Sequence, residues 1–286
     1  MTPPDAGLAR RRRTNAVMFG LAAVCTAVAL SVLFVLLAYI TWKGVSSLTW
    51  AFLSRLPRPV GEPGGGIAHA IVGTVKLVGL AAVLGVPVGV LGATYLSEYG
   101  SNRFGFAIRY CADVLNGIPS IVTGIFAFTV VVLPLKHFSA LAGSVALAVI
   151  MIPLVLRSSE EFLRLVPVSV REAALALGVP RWKVIARVVL PTASRGIMTG
   201  SLLAVSRVAG ATAPLVFTAF GARHWDQGWL QPIAALPLVI YSYAISPYED
   251  WHRQAWAAAF LLLIVVLAGN LAARALMQPR QEGTGS

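Results

Sequence analysis

Apolar residues of this 286-residue chain are collected into long runs, and polar residues fall mostly between the runs. A helix that crosses about 30 Å of hydrocarbon, at roughly 1.5 Å per residue, needs about 20 such residues. Six runs are of this order, and they predict transmembrane helices over residues 16–40, 68–97, 108–133, 138–156, 196–220 and 254–276. The pattern therefore predicts an all-α, polytopic membrane protein.

Composition excludes a water-soluble globule. Hydrophobic residues make up 57% of the chain and charged residues 12%, and the mean hydropathy is +0.78. These values leave too little polar surface to cover a soluble domain of this size. The formal net charge of +12 would indicate a nucleic-acid partner in a soluble protein. Basic loops that flank apolar spans give the same net charge, so the positions of the charges decide.

Four consecutive arginines, at positions 10–13, precede the first apolar run. A cleaved signal peptide is the alternative interpretation, but the run is longer than the apolar part of a signal and five more runs follow it. With the first run retained and its basic end inside, 15 of the 23 Lys and Arg residues fall in cytoplasmic segments and 6 in external ones. This bias predicts cytoplasmic N- and C-termini and removes the need for a nucleic-acid partner.

The expected organisation has four parts. They are a basic cytoplasmic N-terminus over 1–15, a first transmembrane helix over 16–40, a transmembrane domain over 68–276, and a cytoplasmic tail over 277–286. Prolines and paired glycines such as Gly85-x-x-x-Gly89 and Gly196-x-x-x-Gly200 interrupt the middle spans. Such residues favour bent, closely packed helices that line a cavity.

The cytoplasmic loop at 157–195 carries the signals of a helix, a turn and a second helix. Ser169-x-x-Glu172 has the spacing of a capping box, and Gly178 supplies a stop for the first helix. Pro180 suits the first position of a second helix that leads into the fifth span. The first helix, of about eight residues, is marginal alone in water. It either packs against its own chain or docks into a groove of a cytoplasmic partner.

Two cations lie within predicted spans and are candidates for an anion path. Arg207 is about 11 residues into the fifth span, and Lys76 about eight residues into the second. Intramembrane charges are costly and usually face water, a partner or a substrate, and a guanidinium matches the geometry of oxyanions. Alternatively, Arg207 pairs with carbonyls or with an acid of another subunit, and Lys76 extends to the membrane surface. Weaker candidates, as neutral donors, are Ser120, Thr123 and Thr212.

The sequence contains no pattern typical of catalysis or metal binding. It has no HExxH segment, no serine or cysteine in a nucleophile elbow, and its four histidines are not at ligand spacing. We therefore expect neither enzyme activity nor a cofactor in this chain.

The loop resembles the EAA loop of ABC importer permeases. The resemblance rests on Glu172-Ala173-Ala174, then Gly178, then Val188 and Leu190-Pro191 at the family's spacing. It implies a type I ABC importer permease fold with a cytoplasmic coupling helix seated on an ATP-binding subunit. The implied coupling residues are Arg171, Glu172, Ala173, Ala174, Leu177 and Gly178. Because the sequence has no GxxxxGK[ST] segment, we expect ATP and Mg²⁺ to be bound by that partner.

Residues 68–274 further resemble phosphate-specific permeases of the PstA type. The segments that carry the likeness include 117–122, GIPSIV, and 207–218, RVAGATAPLVFT, in which Ala211 stands where that family has Glu. The resemblance implies import of inorganic phosphate across a bacterial cytoplasmic membrane. It also implies three partners: a second homologous permease, two copies of the ATPase and an external phosphate-binding protein.

Other functions stay open on the sequence alone. An importer of another oxyanion, such as molybdate, sulfate or phosphonate, would share the EAA loop and could use the same arginine. A stand-alone channel or secondary carrier would also have charged spans and broken helices, although it would have no use for an EAA loop.

Overall fold

The computed structural model describes residues 6–59, 62 and 64–277, and within them the chain is helical with no β-strand. The helices are α1 (Ala6–Val45), α2 (Trp50–Ser54), α3 (Ala68–Glu98), α4 (Arg103–Gly117), α5 (Ser120–Leu135), α6 (Ala140–Arg164), α7 (Val168–Ala176), α8 (Arg181–Ala209), α9 (Ala213–Val216), α10 (Leu236–Ala244) and α11 (Glu249–Met277). The predicted tail lies outside the described residues except for Met277, as do residues 1–5 of the predicted N-terminal segment.

Five of these helices, α1, α3, α6, α8 and α11, are long and apolar enough to span a membrane. The third predicted span is different, because α4 and α5 together form one broken span bent by 105°. The prediction of a single helix over 108–133 is therefore wrong, although six spans remain when the bent pair counts as one. Pro119 explains the break, since it forces the preceding Ile118 into an extended conformation, with φ −71° and ψ 133°.

The fifth predicted span, 196–220, is also displaced. Helix α8 begins at Arg181, inside the predicted loop, and ends at Ala209. Gly210 follows as the C-cap, and a new short helix, α9, begins at Ala213 with Pro214 in its first turn. Arg207 consequently lies in the last turn of α8 rather than in the middle of a straight span.

Helix α6 is the centre of the bundle, and glycines let its neighbours approach closely. A Cβ added at Gly89 of α3 would lie 2.7 Å from the Cβ of Val155, and one at Gly85 would lie 3.2 Å from the Cβ of Met151. On the other side, a Cβ at Gly200 of α8 would collide with Ser158. Both predicted small-residue pairs thus pack against the same helix, as expected for membrane helices.

Two helices contain a π turn just before a proline. In α5 the π turn covers Phe128–Val132 and is followed by Pro134, and in α8 it covers Ile185–Val189 and is followed by Pro191. Proline lacks an N–H and clashes with the carbonyl four residues earlier, so a widened turn accommodates it without ending the helix. The π turn in α8 keeps the loop that carries α7 continuous with a long apolar helix.

The packing of α3 on α6 is testable with matched glycine variants. We expect Gly89→Ala to lower the unfolding free energy by about 1–3 kcal/mol, because the added methyl overpacks against Val155. Gly79→Ala, on the same helix with nothing within 4 Å, should be neutral or stabilising. Thermal melting of the detergent-solubilised protein measures both, and equal melting temperatures for the two variants would contradict the close contact.

Candidate functional site

Arg207 opens onto a cavity of about 410 Å³ that lies at the break between α4 and α5. The residues at the break, Leu115 to Ser120, and Thr123 of α5 line this cavity. Its other lining residues are Ile150 and Leu154 of α6 and Ala211, which follows the end of α8. The sequence therefore predicted three residues, Ser120, Thr123 and Arg207, that the fold brings to one cavity. Ser120 and Thr123 lie on α5 and Arg207 lies on α8, and the bend at Pro119 is what places the start of α5 beside the end of α8.

The guanidinium of Arg207 is exposed and has no acidic partner among the described residues. Its neighbour Ser206 donates a hydrogen bond of 2.7 Å to Oδ1 of Asn270 on α11. This bond joins α8 to α11 one residue before Arg207. A cation without a counter-ion in an apolar bundle attracts anions, and its planar fork suits an oxyanion.

Asn116, which the sequence analysis did not single out, lines the same cavity. Its amide supplies both a donor and an acceptor beside the hydroxyls of Ser120 and Thr123. Its only sequence signal is its place next to Gly117-Ile118-Pro119. Thr212 is not part of this cavity wall, and its backbone carbonyl accepts from the N–H groups of Leu215 and Val216 at the start of α9.

Lys76 lies away from this cavity and already has an acidic partner. Its Nζ donates to Oδ2 of Asp226, in the segment between α9 and α10, and lies 4.2 Å from the centre of the Trp229 ring. Lys76 is therefore ion-paired within the chain itself, an arrangement that the sequence analysis did not consider. The partner is 150 residues away in sequence, so no local pattern could reveal it.

The Asp226 carboxyl is held in its charged form. Desolvation on its own would raise its pKa, but the hydrogen bonds from Lys76 and from the Gly228 N–H outweigh it and lower the pKa below 3.8. The segment is also tied to α6, since the Leu141 N–H donates to the Trp229 carbonyl at 2.9 Å. Lys76 and Asp226 thus fasten the 221–235 segment to α3.

The predicted coupling helix is α7, and its turn is as expected at Gly178, which has φ +75°. Its start differs from the prediction. Pro167 is the N-cap and no side chain caps the helix, so Ser169 and Glu172 do not form a capping box. Pro180 is likewise the N-cap of α8 rather than its first residue. In both helices the N-cap is a proline preceded by a trans peptide bond. Ser169 therefore lies inside the first turn of α7 and cannot be its N-cap.

Arg171 anchors α7 to the bundle. Its guanidinium donates to Glu98 Oε1, at the end of α3, at 3.1 Å, and to the backbone carbonyls of Leu163 and Val166 at the end of α6. The Glu98 side chain is only 6% exposed. A second arginine, Arg181, donates to the Glu98 carbonyl. These bonds satisfy backbone carbonyls at the C-terminal ends of α3 and α6, where the helix dipole favours cations.

The outer face of α7 is unusually apolar for a solvent-facing helix. Leu177 is 83% exposed, and Glu172 and Ala173 near it are also exposed. Ala174 is different, because it packs against a cluster of buried apolar side chains. Other exposed apolar side chains on the same loop are Leu165, Val168, Leu175 and Trp182. An exposed apolar patch rimmed by polar groups marks an interaction surface.

Glu160 on α6 is a buried acid that sequence reasoning missed. It accepts hydrogen bonds from Arg109 at 2.6 Å, Arg164 at 2.7 Å and Arg157 at 3.1 Å. Arg109 also donates to the carbonyls of Leu96 and Gly100. The spacing of Glu160 to two of these arginines along one helix was a usable signal. The sequence analysis counted these arginines only as cytoplasmic charges, so it did not identify their pairing with Glu160.

Comparison with known proteins defines the family. Residues 85–279 match the family described as "Binding-protein-dependent transport system inner membrane component". The phosphate transport system permease protein PstA of Yersinia pestis is 41% identical over 240 residues, which cover 84% of this chain and 81% of that protein. The protein of the same name from Haemophilus influenzae is 40% identical over 273 residues, covering 95% of this chain and 96% of that protein.

Solved structures agree on the fold. A chain of a bacterial alginate ABC transporter, in complex with an alginate pentasaccharide-bound periplasmic protein, superimposes with a TM-score of 0.68 at 13% identity, covering 94% of this chain and 96% of that one. A chain of the inward-facing MetNI methionine ABC transporter gives a TM-score of 0.59 at 20% identity, covering 74% of this chain and 95% of that one.

The chain is thus a multi-pass membrane protein with the fold of an ABC importer permease. It belongs to the family of inner-membrane components of binding-protein-dependent transport systems, and its relatives named above are the phosphate transport permeases of that family.

A double-mutant cycle separates a structural role of Lys76 from a role in transport. If the ion pair only fastens the 221–235 segment, Lys76→Met and Asp226→Asn should lower the melting temperature to a similar extent, and the double variant should lose less than their sum. The stabilisation is complete above the ordinary carboxyl pKa and is lost as pH falls through the lowered pKa of Asp226.

Uptake assays on the same variants complete the test. Loss of transport in Lys76→Met with normal transport in Asp226→Asn would assign Lys76 to the substrate path and contradict a purely structural role.

Proposed function

We propose that this chain is the permease subunit of an ATP-driven importer of inorganic phosphate in a bacterial cytoplasmic membrane. The observation that carries the proposal is the Arg207 cavity, where an uncompensated guanidinium faces the polar groups of Asn116, Ser120 and Thr123. Relatives that are 40–41% identical over most of the chain are phosphate transport permeases, which supports phosphate as the anion.

The complex would contain a second homologous permease, an ATPase dimer and an external phosphate-binding protein. Both termini would be cytoplasmic, so α7 and the arginines around Glu160 would face the cytoplasm. ATP and Mg²⁺ would be bound by the ATPase, and this chain would supply the path and the coupling surface.

The apolar face of α7 is the proposed seat on the ATPase. Leu177, Ala173 and Glu172 would contact its groove, with Ala174 allowing close packing and Gly178 ending the helix. Arg171 would act as a positioning residue, because its bonds to Glu98 and to the carbonyls of α6 join α7 rigidly to two spans. Closure of the ATPase would then move α3 and α6 with α7 and turn the bundle from inward- to outward-facing.

Phosphate would pass along Arg207 once the bundle opens outwards. The guanidinium would neutralise the anion by a bidentate contact, and Ser120, Thr123 and Asn116 would replace part of its hydration shell. Thr212, just beyond Ala211, would join the path only if the turn after α8 moves. Binding at this site must stay weak enough for release to the cytoplasm, which a single arginine without a second cation favours.

The role of Arg207 is tested by uptake of labelled orthophosphate at micromolar concentration. We expect Arg207→Ala to reduce the initial rate at least about tenfold, as loss of one charge-assisted contact implies, while Arg207→Lys retains part of it. Assembly of the complex should be unchanged, because Arg207 makes no ion pair within the described residues.

Competition identifies the substrate in the same assay. Uptake that survives excess unlabelled molybdate and sulfate supports phosphate, and uptake that either anion abolishes indicates another oxyanion. A normal rate in Arg207→Ala would refute the anion-path role.

The coupling surface is tested with a charge placed on α7. We expect Leu177→Asp to weaken copurification of the ATPase at least about tenfold. The substitution removes a leucine that docking would bury, and it places a charge that docking would desolvate. Leu8→Asp, at an exposed leucine on α1, is the matched control and should leave copurification unchanged. Equal recovery of ATPase with both variants would show that α7 is not the docking helix.

A further inference from the structure

A second cavity, of about 340 Å³, shares no lining residue with the Arg207 cavity. It is bounded by His69 at the start of α3, by Val216 and the segment 220–223, and by α10 from Leu238 to Tyr243. Ala211, two residues before α9, lines the Arg207 cavity, and Val216, the last residue of α9, lines the second cavity. In the proposed topology this second cavity is on the external side.

His69 is the buried polar group in this wall. The residue is 3% exposed, and although the Ala222 carbonyl lies near its imidazole ring, the Nδ1 atom makes no well-formed hydrogen bond with the described residues. Buried polar atoms are almost always bonded, so an unpaired one indicates a missing partner. Nδ1 donates in one neutral tautomer of imidazole and accepts in the other. The missing partner can therefore be an oxygen or an O–H group.

Arg223 supplies positive charge at the same cavity. Its guanidinium lies over the face of Trp251, 5.0 Å from the ring centre, and forms no ion pair with an acid of the described residues. The nearby Asp250 is already bonded to Arg253 at 3.1 Å and to Gln254 at 2.7 Å. Trp251 itself stacks on Tyr243 at 4.5 Å, so the aromatic pair holds Arg223 in place.

The remaining polar groups also suit a small hydrated anion. The Tyr241 hydroxyl is available as a donor, and the Ser242 hydroxyl, which donates to the Leu238 carbonyl at 2.9 Å, can still accept. His224, beside Arg223, has its Nδ1 2.9 Å from the Trp225 carbonyl. At roughly 30 Å³ for each water, the cavity holds a tetrahedral anion with several waters.

We infer that this cavity is an outer oxyanion site, in which Arg223 binds the anion and His69 and Tyr241 orient it before it reaches Arg207. The ligand class is an oxyanion that carries a proton, such as hydrogen phosphate. Such an anion satisfies the free imidazole nitrogen in either tautomer, whereas sulfate can only accept hydrogen bonds. The inference rests on the proposed function and adds a second anion-binding site to the same path.

The test uses the whole transporter, reconstituted in proteoliposomes with ATP inside and the external binding protein outside. Initial uptake of labelled orthophosphate and association of the binding protein are measured in parallel. We expect Arg223→Gln to lower uptake at limiting phosphate at least about tenfold, as loss of one charge-assisted contact implies, with association unchanged. His69→Leu should lower it several-fold. Lys43→Gln, which removes an exposed cation at the end of α1 that does not line the cavity, should have no effect.

Each other outcome has a definite meaning. Uptake by Arg223→Gln within twofold of wild type overturns the outer site. A parallel loss of uptake and of binding-protein association also overturns it, and shows instead that the cavity receives a carboxylate of that protein. Failure of the proposed function is distinct, because then the wild-type complex takes up no phosphate or Arg207→Ala transports it normally. In that case Arg223→Gln is scored with whichever oxyanion the wild-type complex transports.

Discussion

Close contact of α3 and α8 with α6, made possible by glycines, is the constraint on which the other features depend. Burial against another helix gives little hydrophobic gain in a bilayer, so van der Waals contact at short range has to hold the bundle together. Gly85 and Gly89 bring α3 onto α6, and Gly200 brings α8 onto it. Because α6 and α8 meet so closely, Ile150 and Leu154 of α6 line the same cavity as Arg207.

A group of buried charges organises the end of the bundle that carries α7. Glu160 and Glu98 have buried carboxylates, and each accepts from an arginine of another helix, Arg109 and Arg171 respectively. A buried carboxylate without such partners would be strongly destabilising, so these arginines have to stay in place. The same arginines bond the C-terminal carbonyls of α3 and α6. The result is a rigid base that joins the short helix α7 to the transmembrane helices.

Free and neutralised cations are distributed unequally in the rest of the structure. Lys76 is paired with Asp226 and stabilises a loop. Arg207 and Arg223 each open onto a cavity and have no acid among the described residues. In both cavities the arginine is joined by neutral polar groups, which are able to replace the hydration of an anion without trapping it. The unpaired arginines, rather than the total charge, therefore define the proposed route.

The sequence by itself determined what depends on neighbours along the chain. Hydrophobic length set the spans α3 and α11 to within a few residues, and Gly178 set the end of α7, because a positive φ is a local property of glycine. It also brought Arg207, Ser120 and Thr123 forward as candidates by residue type. Only the tertiary structure decided that these three share a cavity, that Pro119 breaks a span by 105° and that Lys76 is neutralised. The shared cavity and the pairing of Lys76 depend on residues tens to 150 positions apart, and such contacts are set by how helices pack rather than by any local pattern. The break at Pro119 has a local cause, but the size of the bend was not readable from the sequence.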